Sequence, residues 1–92
     1  MPQKRALIEL FGKVQGVGFR FFAQSAAMRY RIDGYVRNTP SGTVEILAEG
    51  EEDNLIKFIE ELKKGPPAAR VRDTRIIWSE AKGDLRGFRI VY

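Results

Sequence analysis

The sequence predicts an α+β fold: two helices on one face of a mixed, mostly antiparallel sheet, in the order βαββαβ with a short strand at the end. Three observations lead there. Five stretches read as strands, three of them with apolar residues alternating at period two, and two stretches between them carry the helical period. The helices are distributed among the strands in the split order β-α-β-β-α-β. The 92 residues, 43% of them hydrophobic, can fill one two-layer core and are too few for two. A single domain over residues 1–92 is expected.

Ala6-Leu7-Ile8-Glu9-Leu10-Phe11 reads as the first strand, with Ala6, Ile8 and Leu10 on one face. A glycine loop follows, and from Phe19 the period changes. Phe19, Phe22, Ala23, Ala26 and Tyr30 form one helical stripe, with Arg29 and Arg31 available for the far side. This helix is expected to reach Asp33, where Gly34 stops it. Gly34-Tyr35-Val36-Arg37-Asn38 and Thr43 to Ala48 read as a strand hairpin closed by the turn Thr39-Pro40-Ser41-Gly42, with Val44, Ile46 and Ala48 on one face. Gly50 is expected to break the second of these strands. Glu51-Glu52-Asp53 then opens a second helix, with Leu55, Ile59 and Leu62 in a stripe supported by Ile56 and Phe58. Val71 to Glu80 gives a further strand, Gly83-Asp84 a turn, and Phe88, Ile90 and Tyr92 alternate in the last. Phe11, Phe58, Trp78 and Phe88 read as core or sheet-face residues. This order and layering make a ferredoxin-like α/β sandwich.

Composition narrows the chemistry. There is no cysteine, which excludes a thiolate nucleophile, a disulfide framework and a zinc–thiolate site. There is no histidine, which removes the commonest general base, a phosphohistidine route and most transition-metal sites. Glu51-Glu52-Asp53 is explained as helix-start charge, and Asp73, Glu80 and Asp84 are scattered, so no acid cluster resembles a magnesium site. The start carries Lys4 and Arg5 without an apolar signal run, and no segment reaches membrane length; the expectation is a cytoplasmic protein with no membrane partner. A net charge of +4 raises encounter with anions in general without choosing among small phosphates, nucleic acid and acidic proteins.

The informative stretch is Gly12-Lys13-Val14-Gln15-Gly16-Val17-Gly18-Phe19-Arg20, where a strand passes through three glycines into a helix. No Ser, Thr, Asp or Asn precedes that helix closely enough to cap it, and no acid stands between Arg20 and Asp33. Arg20 instead puts a cation where the helix dipole favours an anion by roughly 0.3–1 kcal/mol. The second helix is the internal control: its start holds three acids and its end holds Lys63 and Lys64. Free amides beside an arginine make sense as a seat for a bound anion. Glycines alone would equally serve a tight turn. The dinucleotide fingerprint does not fit, since Phe21 stands where its third glycine belongs, and no Gly-Lys-Ser/Thr is present. Gln15 to Phe22 is a near miss to the RNP1 pattern of RNA-binding domains, but it follows the first strand instead of lying on the third. Asn38, at the end of the second strand, reads first as turn chemistry. Were it a neighbour of the glycine loop, its amide could hold a water by donating and accepting at once. Arg37 alternates to the opposite face and is read as solvent-facing.

The two motifs together resemble the two signatures of the acylphosphatase family. Gly12 to Arg20 matches the first; Gly34-Tyr35-Val36-Arg37-Asn38, Gly42-Thr43-Val44 and Gly50 resemble the second, and Gly65-Pro66-Pro67-Ala68-Ala69-Arg70-Val71 resembles the segment after the family's second helix. The resemblance implies hydrolysis of the carboxyl–phosphate bond of an acyl phosphate without a metal or cofactor, with inorganic phosphate as product ligand. It implies that the amides of Gln15, Gly16, Val17, Gly18, Phe19 and Arg20 cradle the phosphate. Arg20 would bind its oxygens, Asn38 would orient the attacking water, and Thr39 and Thr43 would support the site. The first strand lacks the histidine that many relatives carry, at a position the family does not use for catalysis. A monomer without nucleic-acid partners is expected. The alternatives are a noncatalytic anion- or RNA-binding module of the same fold and, within the family, a domain handling carbamoyl phosphate inside a larger maturation protein. A chain running from Met1 to the end of its last strand weighs against the latter.

Overall fold

The computed structural model describes residues 2–92; Met1, which opens the expected domain over 1–92, lies outside them. Alternation builds β1 (Gln3–Lys13), whose Ala6, Ile8 and Leu10 are fully buried as expected. The elements that follow are α1 (Phe19–Arg29), β2 (Asp33–Asn38), β3 (Val44–Glu51), α2 (Glu52–Lys64), β4 (Arg70–Glu80) and β5 (Phe88–Val91). The strands form one sheet in the order β4-β1-β3-β2-β5. Every pairing is antiparallel except that of β2 with β5. The predicted fold class is therefore the observed one.

One core lies between the sheet and the two helices. Val36, Val44, Ile46 and Ala48 from the sheet meet Phe19, Ala23, Ala26 and Ala27 of α1 and Leu55, Phe58, Ile59 and Leu62 of α2. Each large side chain buried there contributes roughly 1.5–3 kcal/mol. Phe88 closes the core with its ring edge-on to Phe58, the centroids 5.9 Å apart. Trp78 and Phe11 are sheet residues nearer the surface: Trp78 is 44% exposed, and Phe11 lies under the Arg75 guanidinium.

Three boundaries or faces differ from expectation. Helix α1 ends at Arg29, short of Asp33. Arg31 takes a left-handed φ of 58°, and the Ile32 amide donates to the Ala27 carbonyl at 2.8 Å. That is a Schellman-type stop without glycine, stabilised by burial of Ile32 against the helix. Gly50 does not break β3 but pairs with Lys4 inside it; a side chain there would collide with Ile32, its Cβ falling 2.8 Å from Ile32 Cδ1. Ile56 is half-exposed because the buried stripe of α2 is Leu55, Phe58, Ile59 and Leu62.

The other face of the sheet carries polar cross-strand pairs. Arg37 points there, opposite the core, as its alternation requires, but it is not free in solvent: it pairs with Glu45 at 3.2 Å. Arg5 and Glu49 form a buried pair at 2.9 Å, and Arg5 also bonds Asp84. Burial alone would push the Glu49 carboxyl up, but donation from the Lys82 amide, the Arg5 guanidinium and the Gly83 amide holds it below the usual carboxylate range. This network pins the β4–β5 connection to the sheet.

Candidate active site

The register brings the two sequence motifs to one end of the sheet. Leu10 of β1 and Asn38 of β2 are both partners of Val44, so the last turns of β1 and β2 flank the start of β3. Helix α1 packs over β2 and β5. The chain leaving β1 must therefore cross the start of β3 to reach it, which carries residues 14–18 towards Asn38. Even-numbered positions of β2 face the helices, so Asn38 shares a face with buried Val36 and with α1. The strand order and direction that sequence left open put both motifs at the same end of the sheet.

The loop itself is built by two left-handed glycines, Gly16 at φ 73° and Gly18 at φ 77°. No atom lies within 4 Å of the Cβ that a substitution would add at either position, so it is backbone conformation, and not crowding, that requires glycine. Gly18 is the N-cap of α1; no side chain caps the helix and no acid stands in its first turn. Among the described residues, no acceptor is found for the amide N–H groups of Gln15 to Phe21. Phe22 is the first to bond back, to the Gly18 carbonyl at 3.1 Å. A row of free donors at a helix N-terminus, bent by alternating left-handed residues, is a concavity for an anion.

Arg20 projects from the first turn of α1, half-buried and without an ion-pair partner among the described residues. Its guanidinium carbon lies 4.9 Å from the centroid of the Tyr92 ring. Helix α2 starts in the ordinary manner, with Glu52 and Asp53 in its first turn. The contrast between the two helices, expected from sequence, is present in the structure. Among the described residues, no three acids converge as a metal site would require, and no helix is long and apolar enough to cross a membrane. Surface hollows of about 420 and 380 Å³ lie along β4, and neither is lined by Asn38 or any loop residue.

Sequence reasoning gave Gln15 only a backbone role, but its side chain does more. Its Nε2 donates to the carbonyls of Thr39 and Thr43, each at 2.9 Å, and so fastens the glycine loop to the turn that follows Asn38. These contacts span 24 and 28 positions, and no local pattern signals them. Thr39 and Thr43 bond one another through their hydroxyls at 2.7 Å. The Thr43 amide also donates to Thr39 Oγ1 at 3.2 Å, which closes the turn.

The family model for acylphosphatase matches residues 6–90. An acylphosphatase of Thermus thermophilus is 44% identical over 90 residues, spanning 98% of this chain and 99% of the relative. The crystal structure of acylphosphatase from Bacillus subtilis superimposes with a TM-score of 0.94 at 42% identity, covering 97% of this chain and 99% of that one. A segment of full-length HypF, in its phosphate- and nucleotide-bound form, matches the whole of this chain with a TM-score of 0.89 at 36% identity, while the match covers only 12% of HypF.

Proposed function

The chain belongs to the acylphosphatase family, and on that basis we propose that it holds the phosphoryl group of an acyl phosphate on the amides of Gln15 to Arg20 while a water held by Asn38 attacks phosphorus in line. The coarse activity, acylphosphatase hydrolysis, follows from membership along nearly the full chain. The observation that supports the finer reading is the uncapped, acid-free start of α1 beside Arg20, brought to the same sheet end as Asn38.

The amides and the Arg20 guanidinium are donors fixed before the substrate arrives, so charge developing on the three equatorial oxygens meets no reorganisation. A single preorganised donor of this kind is worth roughly 10²–10³ in rate. Asn38 accepts a hydrogen bond from the water through its carbonyl oxygen and can donate one through its amide, fixing the direction of attack. The bond from phosphorus to the acyl oxygen breaks as the water oxygen bonds, and a carboxylate leaves without needing a proton. With no histidine or cysteine in the chain, the water's proton goes to the phosphoryl oxygens. Neither a metal nor a cofactor enters this scheme. Residues 1–92 act as one domain.

Benzoyl phosphate in ¹⁸O-water with excess chelator tests this. Phosphate release undiminished by the chelator, with the label in phosphate, is expected. Label in benzoate would mean attack at the acyl carbon and overturn the scheme. Activity lost to the chelator would overturn its metal independence, and no turnover at all would favour a binding module.

A further inference from the structure

A chain of hydrogen bonds runs from the solvent face of the sheet around the start of β3 to the turn beside Asn38. Glu9, on the face opposite the core, accepts from the Thr43 hydroxyl at 2.7 Å. The Thr43 and Thr39 hydroxyl oxygens are 2.7 Å apart, the Thr43 amide donates to Thr39 Oγ1 at 3.2 Å, and Ser41 Oγ lies 3.0 Å from that same oxygen. The Thr43 hydroxyl has one proton, and it is committed to Glu9. Thr43 Oγ1 must then receive the proton of Thr39. Thr39 Oγ1, its own proton used, is left as the acceptor for the Thr43 amide and the Ser41 hydroxyl. One carboxylate therefore sets the direction of every hydroxyl in the turn.

The same turn is held from the opposite side by the two Gln15 bonds and internally by Thr39 donating its amide to the Thr43 carbonyl at 2.9 Å. Asn38 is the residue immediately before this double fastening. We propose that Glu9 is a positioning residue of the acyl-phosphate site, acting through the Thr43–Thr39 relay to fix the backbone from which Asn38 projects. The inference rests on the functional reading above. Glu9 touches no substrate, and it has other neighbours on its face: Arg75 at 3.9 Å, and Glu45 opposite it in the register, itself held by Tyr35 and Arg37. What the relay needs is an acceptor at position 9, not a charge.

The test compares Glu9→Leu, Glu9→Gln and Arg75→Ala with the native chain, measuring kcat on benzoyl phosphate, inhibition by inorganic phosphate, and the amide spectrum by NMR. Loss of one hydrogen-bond acceptor predicts that Glu9→Leu lowers kcat roughly tenfold. Phosphate inhibition should stay within about twofold, because the relay bears on the water and not on the anion site. Glu9→Gln keeps an acceptor and should retain kcat within about threefold; Arg75→Ala should be near native. In Glu9→Leu the backbone signals of Thr39 to Thr43 and the side-chain amide of Asn38 should shift. Native kcat in Glu9→Leu, equal losses in Leu and Gln, or parallel loss of phosphate affinity would each overturn the proposal. A native chain inactive on acyl phosphates would defeat the functional reading alone; the NMR comparison would still decide the positioning role, with unchanged turn signals overturning it.

Discussion

Arg20 and Asn38 are assigned separable work, and single substitutions divide it. In the proposed scheme Arg20→Gln removes a charged donor aimed at the phosphoryl oxygens. It is expected to lower kcat/KM by roughly 10²–10³ and to raise the inhibition constant for inorganic phosphate, since the arginine serves ground and transition states alike. Asn38→Ala is expected to lower kcat by about 10²-fold while phosphate still binds, because in the proposed scheme the amide holds the water and not the anion. Steady-state kinetics with phosphate as inhibitor reads both; loss of phosphate affinity in Asn38→Ala would refute its role. At this scale the sequence was legible where a residue broke a local rule. Arg20 at the wrong end of a helix was visible in the chain, whereas Gln15 reaching Thr39 and Glu9 reaching Thr43 were not. Those contacts join residues 24 and 34 positions apart and exist only once the strands are in register.

In the proposed scheme the start of α1 forgoes the stabilisation an acid would give there in favour of a bound anion. Phe21 occupies its first turn and is 64% exposed, so an acid there would not disturb the core. Phe21→Asp is expected to stabilise the phosphate-free protein by about 0.3–1 kcal/mol through the dipole. It should at the same time weaken phosphate binding, by putting a negative charge where the ligand sits. Thermal unfolding with and without phosphate measures both, and a substitution that raises Tm without weakening phosphate would contradict an anion seat at this terminus. Element existence and facing were most legible where alternation or the helical stripe survives in the sequence, as in β1, β3, β5 and the two helices. The ends were less so. The stop of α1 depends on Ile32 folding back onto the helix, which lets Arg31 take a conformation that sequence reserves for glycine. Gly50 marks close approach of Ile32 across the fold and not a break.

At the scale of the whole molecule, the Arg5–Glu49–Asp84 network ties the first strand, the third strand and the β4–β5 connection together. Because the folded protein holds Glu49 below its usual range, the network's stabilisation is complete above the unfolded carboxylate value of about 4.3 and is lost as pH falls through the folded one. Glu49→Gln leaves Arg5 buried with only Asp84 as a charged partner. Towards the lower end of roughly 3–5 kcal/mol should be lost at pH 7, and the acid limb of stability should be shallower. Urea unfolding between about pH 3 and 7 checks the sign. Catalysis should not follow that limb: Glu45 and Asp84 are also held low, by Tyr35 and by Arg5 in turn, and neither is placed at the loop. With no histidine in the chain, kcat is expected to be flat between about pH 5 and 8. The fold that sequence predicted is what joins the two motifs, since strand order alone brings the end of β1 and the end of β2 to either side of Val44. The most direct test of that site is titration of the labelled protein with inorganic phosphate, followed by backbone amide NMR. The amides of Gln15 to Arg20 should shift together along one saturation curve. Shifts confined to the hollows beside β4, or none in the loop, would contradict the phosphate seat.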